Sequence, residues 1–255
     1  MPLFRRLAAW IGAASAAGAA CAHAVAPAPP GVERVVFVGD SLVNRSDRDH
    51  GLLRLVRSSL ERSHPGVALD LVNAGNNGDC IADIRSRLPD HVLALRPAAV
   101  VLYWDSDAAD VEGAGESRDR SRALRAEYRR NLAAVLTDLR GATPNIVVAG
   151  PTLFGERAHG RNLKDQVLDA YERMNRRACH AQHVTWVDTR QTAFAWLAEH
   201  AAGLERDSGS LTEDGEHLNA AGTELVAAEI ASALGRWLSG QPATPPELEE
   251  ALEPQ

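Results

Sequence analysis

The sequence predicts an α/β domain built on a parallel sheet of about five strands with helices on both faces. Three observations carry this. Short apolar runs rich in β-branched residues occur at Arg34–Val38, Val67–Val72, Ala99–Leu102, Ile146–Ala149 and Val184–Val187. Between them lie stretches whose apolar residues recur at helical spacing, and strand, helix, strand alternation of this kind implies parallel pairing. The chain has 255 residues, 45% of them hydrophobic, which suits one domain with a substantial core.

The elements follow in order. Met1 to Ala24 has Arg5 and Arg6, then a Leu/Ala-rich stretch with Trp10 and Ile11, then Ala22-His23-Ala24. These are the three parts of a secretory signal peptide cleaved after Ala24, which predicts a secreted or periplasmic protein. The apolar stretch is short and rich in alanine, so no stable membrane span is expected. Cys21 lacks the Leu three residues before it that a lipoprotein site would show. Residues 25–32 read as a Pro/Ala linker, 33–239 as the folded domain and 240–255 as a disordered Pro- and Glu-rich tail.

Within the domain, the first strand breaks at Gly39-Asp40-Ser41. Leu52, Leu53, Val56 and Leu60 mark the buried face of a helix ending near His64-Pro65-Gly66. Ile81, Ile84 and Leu88 mark another, with Pro89 expected to open a separate short helix carrying Val92 and Leu95. The acidic stretch Asp105 to Glu116 reads as a solvated loop. Leu124, Tyr128, Leu132, Val135 and Leu139 stripe a long helix ended by Gly141. Gly150 to Gly155, after the fourth strand, is a candidate for acyl-side or lid contacts. A helix over Leu163–Cys179 and another over Gln191–His200 follow; the aromatics of the latter, Phe194 and Trp196, read as core. Asn219 reads as the N-cap of a closing helix with Leu225, Ile230, Leu234 and Trp237.

The net charge of −7 gives no electrostatic reason to bind nucleic acid or an anionic membrane surface. Of the three cysteines, Cys80 and Cys179 would survive cleavage, and sequence leaves open whether they pair.

The chemistry sits at two places. Ser41 falls where the first strand ends, the edge at which open α/β sheets hold their ligands. Gly-Asp-Ser alone is also what a plain turn or N-cap looks like, and a serine needs a general base to become nucleophilic. That base is offered by Asp214-Gly215-Glu216-His217. In a helical turn the Asp214 carboxylate reaches one imidazole nitrogen of His217 and leaves the other free. Ser41, His217 and Asp214 thus supply nucleophile, base and orienting acid. Two ligands without a third make no metal site.

The pattern Gly-Asp-Ser-Leu near the N-terminus with Asp-x-x-His near the C-terminus resembles the GDSL, or SGNH, hydrolases. The resemblance runs from about Val35 to Leu238 and implies a flavodoxin-like three-layer α/β/α sandwich. Val72-Asn73-Ala74-Gly75-Asn76-Asn77-Gly78-Asp79 is similar to the family's second block, and Gly78 takes the position whose backbone N–H helps form the oxyanion hole. The third block departs from the pattern. Where the family has Gly-x-Asn-Asp, this chain has Trp104-Asp105-Ser106-Asp107, so Ser106 replaces the oxyanion asparagine and Asn76 or Asn77 is a possible supplement. A Trp-lined pocket is one consequence this departure suggests. The resemblance implies a serine esterase or lipase that needs no cofactor and no metal and acts on a small-molecule, lipid or acylated-sugar ester. A non-hydrolytic binding protein on the same fold and an acyltransferase are the alternatives.

Overall fold

The first strand, β1, runs Val32–Gly39, and its side chains alternate between two apolar layers. Val35 and Phe37 enter one layer, Val36 and Val38 the other, and all four are fully buried. Strands β2 (Ala68–Gly75), β3 (Ala99–Tyr103), β4 (Ile146–Ala149) and β5 (Thr185–Val187) complete a parallel sheet in the order β2-β1-β3-β4-β5. This computed structural model describes residues 28–45, 51–112, 115–200 and 207–241. The signal-peptide reading therefore lies outside the described residues, as do residues 25–27 of the linker and all but the first two residues of the tail.

Among the described residues seven α-helices connect and cover the strands: α1 (Ser41–Asn44), α2 (Leu52–Ser63), α3 (Ile81–His91), α4 (Arg118–Ala142), α5 (Asp165–Ala181), α6 (Thr189–His200) and α7 (Ala220–Leu238). Leu52, Leu53, Val56 and Leu60 of α2 and Val226, Ile230 and Leu234 of α7 pack on the Val35/Phe37 face. Ile81, Ile84 and Leu88 of α3, Leu132, Val135, Leu136 and Leu139 of α4, and Leu168 and Tyr171 of α5 pack on the other. The result is the expected flavodoxin-like three-layer sandwich. Its two layers hold nearly the whole apolar core, while Leu153, Ala193, Leu197 and Leu211 form a satellite cluster under α6. Phe194 and Trp196 are partly buried against that cluster. Asn219 caps α7, its side chain accepting from the Gly222 N–H. No helix among the described residues is long and apolar enough to cross a membrane. Cys80 and Cys179 are unpaired.

Two expectations are corrected. Pro89 does not open a new helix but lies inside α3. Its missing N–H deprives the helix of a single bond close to its end, and buried Leu88 on the core face carries the helix on to His91. The acidic stretch after β3 is not simply solvated: Asp105, Ser106, Asp107 and Glu112 are all buried, and Asp107–Val111 winds into a π-turn. Glu112 is held by a bidentate pair from Arg125 at 2.9 and 2.6 Å, which satisfies a carboxylate that water does not reach.

Candidate active site

With β1 flanked by β2 on one side and β3 on the other, the chain reverses its direction of travel across the sheet at β1. Open parallel sheets bind ligands at this point, above the carboxyl ends of the strands. Ser41 follows β1 there, Gly78 follows β2 and Ser106 follows β3.

The Gly39-Asp40-Ser41 turn is tight because β1 and β3 approach closely. A Cβ on residue 39 would overlap the Tyr103 carbonyl, so only glycine fits. Asp40 is fully buried and is the centre of the turn. Its Oδ1 accepts from the Leu42 N–H at 3.0 Å, while Oδ2 accepts from the Asp105 N–H (2.9 Å), the Ser106 N–H (2.9 Å) and the Ser106 hydroxyl (2.8 Å). One carboxylate thus ties the end of β1 to the block after β3.

His217 and Asp214 arrive on the loop before α7. The loop is not the helical turn that the spacing suggested. An antiparallel bridge between Thr212 and Leu218 closes it, together with a 2.8 Å bond from the Glu213 N–H to the His217 carbonyl. Inside it, the Asp214 Oδ1 accepts from the backbone N–H of Glu216 (3.1 Å) and His217 (2.8 Å), and its Oδ2 lies 2.8 Å from His217 Nδ1. The other imidazole nitrogen, Nε2, lies 3.2 Å from Ser41 Oγ. Partial burial disfavours charge on Asp214, but the imidazole and the two backbone N–H groups outweigh it and draw its carboxyl down to about 2. Residues 176 apart in sequence therefore form one continuous relay.

Gly78, after β2, is exposed with φ +76°, in the left-handed region that favours glycine. Asn76 gives its side-chain amide to Asp79 at 2.6 Å, and Asn77 is exposed. Asp79 is in turn paired with Arg87, whose guanidinium also donates to the carbonyls of Ala74 and Gly39. Arg87 fixes the second block against the end of β1. Nothing in the sequence singled it out, since its partners are mostly backbone carbonyls.

The third block uses its residues inwardly. The Ser106 hydroxyl can donate one hydrogen bond, and it donates that bond to Asp40. Trp104 is 1% exposed and does not line an open pocket. Its ring lies among buried side chains near Tyr128, and its indole N–H donates to Asp107 at 3.1 Å. The same Asp107 oxygen accepts from the Ile81 N–H at the start of α3 (2.7 Å). Burial is the main reason its carboxyl is pushed up to about 7. Among the described residues no group of three or more His, Cys, Asp or Glu is arranged to hold a metal ion.

A serine, an imidazole and a carboxylate in hydrogen-bonded sequence over the switch point of a parallel sheet are the equipment of an ester-bond hydrolase. The family model for the GDSL-like Lipase/Acylhydrolase family matches residues 37–225, and the chain belongs to that family. No curated protein matches it. Among solved structures it is similar to an acetyl xylan esterase, AlAXEase, at 26% identity and TM-score 0.70, covering 79% of this chain and 99% of that one. It is also similar to LAE5, an alpha/beta hydrolase enzyme from the metagenome of Lake Arreo, Spain (21%, TM-score 0.66, 80% and 95% covered). A third is Axe2, an acetylxylan esterase from Geobacillus stearothermophilus (18%, TM-score 0.65, 78% and 93% covered).

Proposed function

We propose that this enzyme hydrolyses short acyl esters carried on sugars through an acyl-enzyme formed on Ser41. His217 Nε2 accepts the Ser41 proton as Oγ attacks the ester carbonyl, and then gives it to the leaving hydroxyl. Asp214 holds Nδ1 protonated, so that Nε2 is the free base, and stabilises the imidazolium that forms. Water, deprotonated by the same imidazole, attacks the acyl group and regenerates Ser41. The backbone N–H groups of Ser41 and Gly78 stabilise the oxyanion. Ser106 acts at one remove: with its hydroxyl donating to Asp40, it holds the Ser41 turn in place, and direct donation to the oxyanion would require it to leave that carboxylate.

The observation that carries this reading is the unbroken relay of 3.2 and 2.8 Å from Ser41 through His217 to Asp214. The preference for acylated sugars over lipid esters rests on AlAXEase and Axe2, both acetylxylan esterases by their descriptions. Structures of Axe2 described as catalytic mutants change a serine, an aspartate and a histidine. The Met1–Ala24 leader supports export, which would bring the enzyme to polymeric esters outside the cytoplasm.

The test is hydrolysis of p-nitrophenyl acetate, longer p-nitrophenyl esters and acetylated xylo-oligosaccharides by the wild type and Ser41→Ala. Expected is a loss of about 10³-fold or more in kcat with Ser41→Ala, and acetate released from the oligosaccharide. A Ser41→Ala variant as fast as the wild type would overturn the nucleophile assignment. Faster turnover of long-chain esters than of either acetate would overturn the substrate class.

A further inference from the structure

Gly150 to Gly155, after β4, reads from sequence as a candidate for acyl-side or lid contacts. In the structure Gly155 and the two residues that follow it, Glu156 and Arg157, grip the loop that carries Asp214 and His217. The Gly155 N–H donates to the Gly215 carbonyl at 2.6 Å. Arg157 forms a two-pronged pair with Asp207 at 2.5 and 3.1 Å. Between them, Glu156 is 2% exposed and points its carboxylate into the loop. Oε2 accepts from the Ser210 N–H (2.8 Å), and Oε1 accepts from the N–H groups of Leu211 (2.8 Å) and Thr212 (2.6 Å) and from the Thr212 hydroxyl (2.6 Å).

A buried carboxylate without compensation is costly, and the usual remedy is an arginine or lysine. Here three successive backbone N–H groups and one hydroxyl replace the cation, an anion-binding nest made by the loop itself. The arrangement has a geometric consequence. Thr212 is two residues before Asp214 and is bridged to Leu218, the residue after His217. Moving Thr212 therefore moves both members of the dyad. Ser41 sits on a different element with its own anchor, Asp40, so such a movement changes the Ser41 to His217 distance directly. At 3.2 Å that contact is already near the outer limit of a useful hydrogen bond.

We propose that Glu156 is a positioning residue that sets the Ser41 to His217 distance by holding residues 210–212. The proposal rests on the triad reading above. It treats the carboxylate as the organising centre of the loop rather than one of many stabilising contacts.

The test compares Glu156→Gln and Glu156→Ala in the full chain, by p-nitrophenyl acetate kinetics and by hydrogen exchange of peptides covering residues 207–217. Glutamine keeps an oxygen where Oε1 accepts three bonds and sets an NH₂ against the Ser210 N–H; alanine removes all four. Expected are kcat losses of roughly tenfold for Gln and roughly 100-fold for Ala, with KM within twofold, because small misplacements of reacting groups cost on this scale. Exchange should quicken over 207–217 while peptides from β1 and β3 keep their protection. Because Glu156 acts through the dyad, Glu156→Gln made in an Asp214→Asn background should cost much less than tenfold. A folded Glu156→Ala or Glu156→Gln variant with unchanged kcat would overturn the proposal. So would activity lost only in step with protection of the whole sheet. Failure of the triad reading shows separately, as Ser41→Ala retaining activity, and in that case the exchange data alone judge whether Glu156 holds the loop.

Discussion

Replacing Asp40 by asparagine tests how the Ser41 turn is held. The carboxylate accepts four hydrogen bonds: one from Leu42 through Oδ1, and three from Asp105 and Ser106 through Oδ2. An asparagine has one acceptor oxygen. Its better orientation places that oxygen toward Asp105 and Ser106, which leaves an NH₂ facing the Leu42 N–H. The three retained bonds change from charge-assisted to neutral, at about 1 kcal/mol each, and the fourth is lost at about 1–3 kcal/mol. Relief of the carboxylate's own burial offsets part of this, so a net destabilisation of about 3 kcal/mol is expected.

For a domain of this size about 1 kcal/mol moves Tm by about 2–4 °C, so Asp40→Asn should melt roughly 6–12 °C lower. Urea unfolding should show the same loss with an unchanged slope. Activity should fall as well, at temperatures well below the new Tm, because the same carboxylate fixes the turn on which Ser41 stands. A variant that melts within 2 °C of the wild type and keeps its kcat would refute the reasoning. It would mean that the Ser41 turn is held by β1 and β3 alone.

Three further outcomes follow from the carboxyl groups. The Asp107 carboxyl is raised by burial from 3.8 to about 7, so the folded state binds its proton more tightly than the unfolded state. Its contribution to stability is full below pH 4 and is lost as pH rises toward 7. Asp107→Asn keeps an acceptor for Ile81 and Trp104 and should therefore gain stability over the wild type at pH 8 but not at pH 4, measured by urea unfolding. Asp214 has the opposite sign, with a carboxyl lowered from 3.8 to about 2. It stays ionised above pH 4 and its hydrogen bonds are lost only as pH falls toward 2, so protonation of Asp214 should leave no acid limb in kcat/KM between pH 4 and 9. Asp214→Asn should reduce kcat by up to about 10⁴-fold, as loss of the orienting carboxylate frees the wrong tautomer.

How much of this was legible in the sequence depended on what each residue bonds to. β4 and the Val35–Val38 part of β1 were readable because strand segments buried on both faces are apolar, and the Ile146–Ala149 boundary agrees residue for residue. The helical stripes of α2 and α4 were readable for the same reason, since Leu60 and Leu139 have no polar alternative to the core. The relay was readable because its three side chains are chemically distinctive and two of them lie three residues apart. Glu156 and Arg87, and the reach of Asp40 to the block after β3, escaped notice because the partners are mostly backbone N–H and C=O groups. Every residue carries these, so no pairing of residue types betrays such contacts. The acidic stretch was misread for a related reason: charge density signals solvation unless the partners are known, and for Asp105 to Glu112 the partners come from Ile81, Trp104 and Arg125.

The third block shows how a departure from a family pattern can be absorbed. Tryptophan in place of glycine adds a large ring, and the fold accommodates it by burying that ring near Tyr128. Its indole N–H then needs a partner, which Asp107 supplies while also binding the Ile81 N–H at the start of α3. Serine in place of asparagine is too short to reach far, and its hydroxyl turns instead to Asp40, 2.8 Å away. Each substitution is thus locked by a buried carboxylate, and together they fasten the β1 turn, the start of α3 and the end of β3 to one another. The serine of the block thereby braces the turn on which Ser41 stands. Asparagine at position 106 would give up the hydroxyl bond to Asp40 while the backbone N–H bonds of residues 105 and 106 remained.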